Sequence, residues 1–325
     1  MNKVQRTKWA ILFSFLCCIF FMCVSNTWAQ PYPAKPINMI IGWAAGGSVD
    51  ITLRTLCEAA SRTLGQPFVV MNKPGGGSAV ALATLKNEKP DGYAVGNLSP
   101  AGMLSQYMRK VPYDVLTDFT PIMRYGDYTY GVVVRTESPW KTFKELVDYA
   151  KANPGKIRYS TAGAGTFHHL AMEALAMQEG IKWIHIPYKG GHDATTAIVG
   201  GHVEVEACAS EWKPYVESGK LRLLATYNPS RLPKYPDVPT WVELGYRIAA
   251  SGYIGILGPK GIPDPIVEKL HGAFKLALED PAFKKSMDTF DMPIVYRNPE
   301  GLRKDITEFC EKWGKLIADL GIKEK

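Results

Sequence analysis

Three short glycine-rich segments carry the residues best suited to chemistry: Gly42-Trp43-Ala44-Ala45-Gly46-Gly47-Ser48, Lys73-Pro74-Gly75-Gly76-Gly77-Ser78 and Thr161-Ala162-Gly163-Ala164-Gly165-Thr166. Each falls between an apolar, β-branched run and a longer amphipathic one, where a strand would turn into a helix. Glycine lets the backbone pass close to a ligand, and the free N–H groups at the following helix start favour an anion. Such a terminus is worth about 0.3–1 kcal/mol per anionic group at an exposed site. Ser48, Ser78 and Thr166 add hydroxyls that either donate to the same anion or cap their helices. For any one segment, a tight turn needing positive φ explains the glycines equally well. Three at equivalent ends of parallel strands point to a site, because open α/β sheets bind ligands beyond the carboxyl ends of their strands.

The anion is not a nucleotide by these signs. No segment has the G-x-x-x-x-G-K-[ST] spacing of a phosphate loop, since Lys73 precedes its glycines, and none has G-x-G-x-x-G. A small carboxylate held by backbone amides and hydroxyls is the remaining candidate. His168, His169, His185, His192 and His202 cluster in one stretch, yet they form no HExxH and no regular pair on a helix face, so no metal site is expected. No G-x-S-x-G elbow is present and no catalytic acid, base and nucleophile set is visible.

The elements that must position these segments alternate along the chain. Strand-like Ile37–Ile41, helix-like Val49–Leu64, strand Pro67–Met71, helix Ser78–Lys86 and strand Tyr93–Asn97 form a first series. A second begins at Gly131–Val134 and continues through helix Lys141–Ala152, strand Ile157–Ser160, helix Thr166–Gln178, strand Trp183–Ile186, helix Asp193–Val199 and strands Val203–Ala207 and Leu221–Thr226. A Pro-rich surface connection, Pro229–Gly245, leads to strand Tyr253–Leu257 and helices at Pro265–Leu278, Pro281–Met287 and Pro299–Leu320. This is an α/β pattern with a largely parallel sheet in each half. At 325 residues with 46% hydrophobic and 21% charged, the chain can bury two cores, and it is neither disordered nor a multi-span membrane protein.

A basic start ending at Lys8, an uncharged run from Trp9 to Val24, and small residues at Thr27 and Ala29 read as a signal peptide, residues 1–29, cut after Ala29. An uncleaved anchor is the rival reading. Without Lys3, Arg6 and Lys8 the chain has 35 basic and 31 acidic residues, +4, too weak a charge to argue for nucleic acid. Only Cys57, Cys208 and Cys310 remain, too few and too scattered for a disulfide framework, and unpaired buried thiols are expected.

The combination of Gly46-Gly47-Ser48-Val49-Asp50, Asn72-Lys73-Pro74-Gly75-Gly76-Gly77, Lys89-Pro90-Asp91-Gly92-Tyr93, Gly165-Thr166 with His169-Leu170, Pro187-Tyr188-Lys189-Gly190-Gly191, Gly200-Gly201-His202-Val203 and Pro236-Asp237-Val238-Pro239-Thr240 resembles the Bug family. These are the periplasmic solute-binding receptors of tripartite tricarboxylate transporters, and the resemblance spans nearly the whole mature chain. It implies a two-lobed periplasmic-binding-protein type II (Venus flytrap) fold, each lobe a mixed, largely parallel sheet flanked by helices. Lobe 1 would be residues 30–131 plus 252–325, and lobe 2 residues 132–251. It further implies a carboxylate gripped by Ala45, Gly46, Gly47 and Ser48, by Gly76 and Gly77, and by Gly163, Gly165 and Thr166 of the opposite lobe. Asp50 and His169 match family positions, with helix-start and structural roles as alternatives. Asp193 either meets a polar group of the ligand or caps its helix. Trp43 and Phe167 add aromatic surface.

The expected function is therefore capture of a small organic carboxylate, a di- or tricarboxylate, an aromatic acid or an acidic amino acid, by a monomeric, periplasmic, non-enzymatic receptor without cofactor. Integral-membrane transporter subunits would be the partner. Two rivals stand beside it: a periplasmic hydrolase or isomerase, which would turn over its ligand, and a histidine-dependent metal receptor, which a chelator would disarm.

Overall fold

The strand β1 (Ile37–Ile41) is buried along almost its whole length and sits between two parallel partners, β2 (Phe68–Asn72) and β3 (Ala94–Leu98). The computed structural model describes residues 32–246 and 252–320. The expected signal peptide lies outside them. Residues 35–325 form one compact unit and carry both sheets.

Helix α1 (Ser48–Leu64) follows β1, burying Val49, Leu53, Leu56, Cys57, Ala60 and Leu64 on one stripe and ending at Gly65 in the left-handed region, φ 71°. Helix α2 (Ala79–Lys86) follows β2, and α3 (Pro100–Met108) follows β3, with the Ser99 hydroxyl accepting from Gly102 N–H at its start. Next comes β4 (Phe119–Tyr128). The sheet is completed by β10 (Gly252–Pro259), which lies antiparallel between β3 and β4 to give the order β2-β1-β3-β10-β4.

The second sheet repeats this plan. Its strands are β5 (Tyr130–Arg135), β6 (Arg158–Thr161), β7 (Ile184–Pro187), β8 (Val205–Ala209) and β9 (Leu221–Thr226), in the order β7-β6-β8-β5-β9. β6, β7 and β8 are parallel, and β5 runs against β8 and β9. Helices α4 (Phe143–Ala152), α5 (Phe167–Glu179) and α6 (Gly191–Val199) flank it, α4 starting with a Thr142/Glu145 capping box. A short 3₁₀ turn, Ser210–Trp212, and α7 (Lys213–Glu217) lead from β8 to β9. Helices α8 (Asp264–Ala277), α9 (Pro281–Thr289) and α10 (Pro299–Leu320) complete the chain. The molecule is thus two-lobed, each lobe a mixed sheet with helices on its faces.

Only Thr129 separates β4 from β5. It is fully buried, and its hydroxyl donates to the Asp291 carbonyl at 2.6 Å. Tyr130 and Gly131 already pair with Ala209 and Cys208, so the chain changes sheets at Thr129. Tyr-Thr-Tyr is strand-like on both sides of the change, which leaves no break in the pattern. Three elements carry no clear pattern in the sequence: β4, α3 and the short α7. Pro121, Arg124 and Asp127 interrupt the apolar pattern of β4. In the fold Arg124 is 5% exposed, ion-paired to both Asp127 and Asp305, and stacked over Tyr253 at 4.1 Å. The three cysteines are free and buried.

Candidate ligand-binding cleft

The first glycine loop leaves β1 with Gly46 at φ 82° and enters α1 with Gly47 as N-cap. Asp50, 3% exposed in the first turn, folds back on this loop. Its carboxylate accepts from Gly46 N–H (2.9 Å), Asn72 Nδ2 (2.8 Å) and Arg54 Nε (2.9 Å), while Asn72 also donates to Trp43 O. Burial would raise the Asp50 pKa, but the bonds from Arg54, Gly46 and Asn72 outweigh it and hold the carboxyl below its usual range. Asp50 therefore braces the loop.

The second loop holds Gly75, Gly76, Gly77 and Ser78 all at positive φ (131°, 55°, 58° and 75°), a path that residues other than glycine rarely follow. The third has Gly163 and Gly165 at positive φ, and the Gly163 carbonyl accepts from both Thr161 and Thr166 hydroxyls. Ala162 N–H donates to His168 Nε2, and Gly165 N–H to His169 Nδ1. His169 stacks on His185 with ring centroids 4.0 Å apart.

All three loops meet between the lobes. Gly75, Gly76 and Gly77 face Gly163 and Ala164 across a chamber of about 190 Å³, completed by Trp43, Arg109, Ala162, Tyr188 and Lys189. The Arg109 guanidinium donates across the cleft to Ala164 O at 3.4 Å. Trp43 and Ala162 also border a second, inner chamber of about 30 Å³, lined by Gly47, Ser48, Pro100, Tyr128, Tyr130, Thr166, Phe167, His168, Gly191, Cys208 and Glu211 among others. Tyr130 stacks between Tyr128 and Phe167, with centroids 5.4 and 5.3 Å away.

Of the residues expected in the site, Trp43, Gly47, Ser48, Thr166 and Phe167 line the inner chamber, and Gly76, Gly77 and Gly163 the outer one. Ala45, Gly46, Asp50, Gly165, His169 and Asp193 line neither. Ala45 and Gly46 are exposed, Gly46 and Gly165 have their amides taken by Asp50 and His169, and Asp193 lies half-buried in the first turn of α6. The hydroxyls of Ser48 and Thr166 are likewise spent within the protein.

The most consequential residue missed by sequence reading is Glu211. Its Oε1 accepts from Ser48 N–H at 3.2 Å and Ser48 Oγ–H at 2.6 Å, joining the second lobe to the first. Its Oε2 is buried without a hydrogen-bond partner, as is His168 Nδ1. Because His168 Nε2 accepts from Ala162, the neutral ring carries its proton on Nδ1. Burial, then His169 and His185, lower its pKa to about 3. The Trp43 indole N–H and Tyr128 hydroxyl lie near one another without reaching hydrogen-bond geometry. Burial, Glu211 and Glu206 push the Cys208 thiol well above its ordinary pKa, so it stays protonated. Among the described residues no three His, Cys, Asp or Glu side chains are grouped to hold a metal ion. Glu211 did leave a sequence signal: it is a charged residue just past an apolar strand, at the carboxyl end where such sheets bind ligands.

Residues 52–322 match the model of the tripartite tricarboxylate transporter family receptor. The chain is 41% identical to the "UPF0065 protein in gbd 5'region" of Cupriavidus necator, over 90% of each chain. It is 30% identical to protein BugT of Bordetella pertussis, over 91% of this chain and 93% of that one. The solved structure of the periplasmic binding protein BugD superposes with a TM-score of 0.86 at 31% identity, covering 90% of this chain and 100% of BugD. This chain belongs to the tripartite tricarboxylate transporter receptor family.

Proposed function

We propose that the protein is a periplasmic solute receptor that captures a small carboxylate between its lobes and passes it to integral-membrane transporter subunits, without catalysis or cofactor. The observation that carries this reading is the outer chamber, where two glycine loops from opposite lobes face one another beside Arg109 and Lys189. Backbone N–H groups and two cations there suit a carboxylate. Residues 35–129 together with 252–320 form one lobe, and residues 130–246 belong to the other. Thr129 serves as a pivot, so a ligand enters the open form and its contacts favour closure.

Trp43, Ser48, Thr166 and Phe167 shape the inner end of the site. Asp50 and His169 hold the loops, and Asp193 starts its helix. Residues 1–29 direct export and are removed after Ala29, which mass measurement of the periplasmic form would check. The receptor acts as a monomer.

The test is a thermal-shift screen of residues 30–325 against di- and tricarboxylates, aromatic acids, acidic amino acids and divalent metals. A ligand at 100 times its Kd adds about 2.7 kcal/mol of stability. Stabilisation by one carboxylate class supports the reading. A response to metals alone, or none to any carboxylate in protein freed of co-purified ligand, overturns it.

A further inference from the structure

The inner chamber has an unusual charge for a carboxylate receptor. Glu211 stands at the carboxyl end of β8 and is held in place from both lobes. Ser48 donates its N–H and its hydroxyl to Oε1, and Gly191 offers no side chain, so the carboxylate lies flat on its backbone. A Cβ on Gly191 would come within 2.3 Å of the Glu211 carboxyl carbon. Ser48 is the first residue of α1, the position where a helix start favours an anion. The protein's own carboxylate already occupies it.

The other oxygen, Oε2, is buried, unpartnered and can only accept. No ion pair to Glu211 exists among the described residues. His168, 4% exposed, borders the same chamber with an unpartnered Nδ1 that its bond from Ala162 makes a donor. Buried polar atoms left without partners are costly, and the residues lining this cavity carry four of them, Glu211 Oε2, His168 Nδ1, Trp43 Nε1 and the Tyr128 hydroxyl; of these Glu211 Oε2 alone can only accept, and a ligand group placed there completes it. A second carboxylate placed there would meet Glu211 as a like charge in a poorly solvated space. The cations, Arg109 and Lys189, border the outer chamber instead. At about 30 Å³ the inner chamber has room for one small polar group, since a water needs roughly 10–15 Å³ on this measure.

We infer that the ligand is a carboxylate whose far end is a hydrogen-bond donor rather than a second carboxylate, and that Glu211 is the residue that selects it. The inference rests on the carboxylate-receptor reading above. The donor is a hydroxyl, a carboxamide or an ammonium group. All three satisfy Glu211 Oε2, and the first two also accept from His168 Nδ1.

The experiment is isothermal titration of the mature chain, freed of bound ligand, with succinate, adipate and terephthalate. Each diacid is matched by the compounds in which one carboxylate becomes hydroxymethyl, aminomethyl or carboxamide. Donor-ended members of at least one skeleton should bind about tenfold or more tightly than their diacid, the scale of one hydrogen bond to a charged group. Which arm binds identifies the donor. Glu211→Gln, which keeps an acceptor for Ser48 and adds an N–H, should narrow or reverse that preference. Diacids that bind wild type as well as their donor-ended partners overturn the inference, as does a Glu211→Gln protein with the wild-type melting profile and unchanged preference. Binding of no compound by either protein removes the carboxylate-receptor reading itself, and this inference with it.

Discussion

Replacing Gly191 by alanine should act almost entirely through Glu211. The new Cβ would stand 2.3, 2.4 and 2.6 Å from Cδ, Oε2 and Oε1, closer than packed carbons approach, so the carboxylate must swing away. It then releases both Ser48 hydrogen bonds, each worth about 1.5–3 kcal/mol when the acceptor is charged. Rehydration of the freed carboxylate returns part of this, leaving a net loss of about 2 kcal/mol. In a Glu211→Ala background there is nothing to displace, and Gly→Ala in a helix is neutral or stabilising by up to about 1 kcal/mol. Urea unfolding of the four proteins gives the coupling from shifts in midpoint at constant slope. A coupling of about 2–3 kcal/mol is expected. If Gly191→Ala shifts stability equally in both backgrounds, to within about 0.5 kcal/mol, Glu211 is not held between Gly191 and Ser48 and the reasoning fails.

Arg124→Met leaves Asp127 and Asp305 without their shared partner and should cost about 3–5 kcal/mol in urea unfolding; a loss below about 1 kcal/mol would show the ion pairs to be dispensable. His168 is neutral in the fold with its pKa lowered to about 3, so its contribution is complete above the unfolded value near 6.5 and drains away as pH falls toward 3, by about 1.4 kcal/mol per unit. Glu206, fully buried with Thr195 donating to it at 2.6 Å, has its pKa raised by burial foremost, so it gives the opposite slope, losing stability as pH rises above about 4.5. Melting curves against pH should have a shallower acid-side slope in His168→Gln, the rest being kept by His185, whose pKa burial also lowers to about 3, and a shallower opposite slope in Glu206→Gln; unchanged slopes would refute the assignments. Gly77→Ala places a side chain at φ 58°, 3.3 Å from the Ala101 Cβ and 3.6 Å from Ala164 O of the facing loop. Strain of about 1–2 kcal/mol and a propped cleft should lower both the melting temperature and the affinity for the carboxylate found by screening, and intact affinity would argue against closure at this point.

How far the sequence could be read followed how local each signal was. α1 was legible because its start, Gly47-Ser48-Val49-Asp50, and its stop, Gly65, are written in adjacent residues. The three loops were legible for the same reason, since positive φ selects glycine whatever lies opposite. β4 was hidden because Arg124 and Asp127 look like surface residues until Asp305, far along the chain, supplies the second partner. α3 was hidden among small and polar residues behind Pro100. In the site, Asp50 reads equally well as a ligand contact or a brace, and only the fold brings Asn72 and Arg54 onto its carboxylate. Glu211 has a local signal, its charge just past β8, but its bonds to Ser48, like the facing of Arg109 and Lys189 across the outer chamber, arise only because the two lobes fold against each other.

The position of β10 bears on the order in which the chain can fold as it is made. Ile256 pairs with Asn97 and Leu257 with Pro121, so the first sheet is closed by a strand that follows every strand of the second. A nascent chain that has just released β9 holds all of the second sheet but only four strands of the first, with facing edges of β3 and β4 unfilled. Such edges invite pairing with other chains until their own partner arrives. The lobe synthesised first is therefore the lobe finished last, its β3 and β4 edges open until Gly252–Pro259 has followed Thr226.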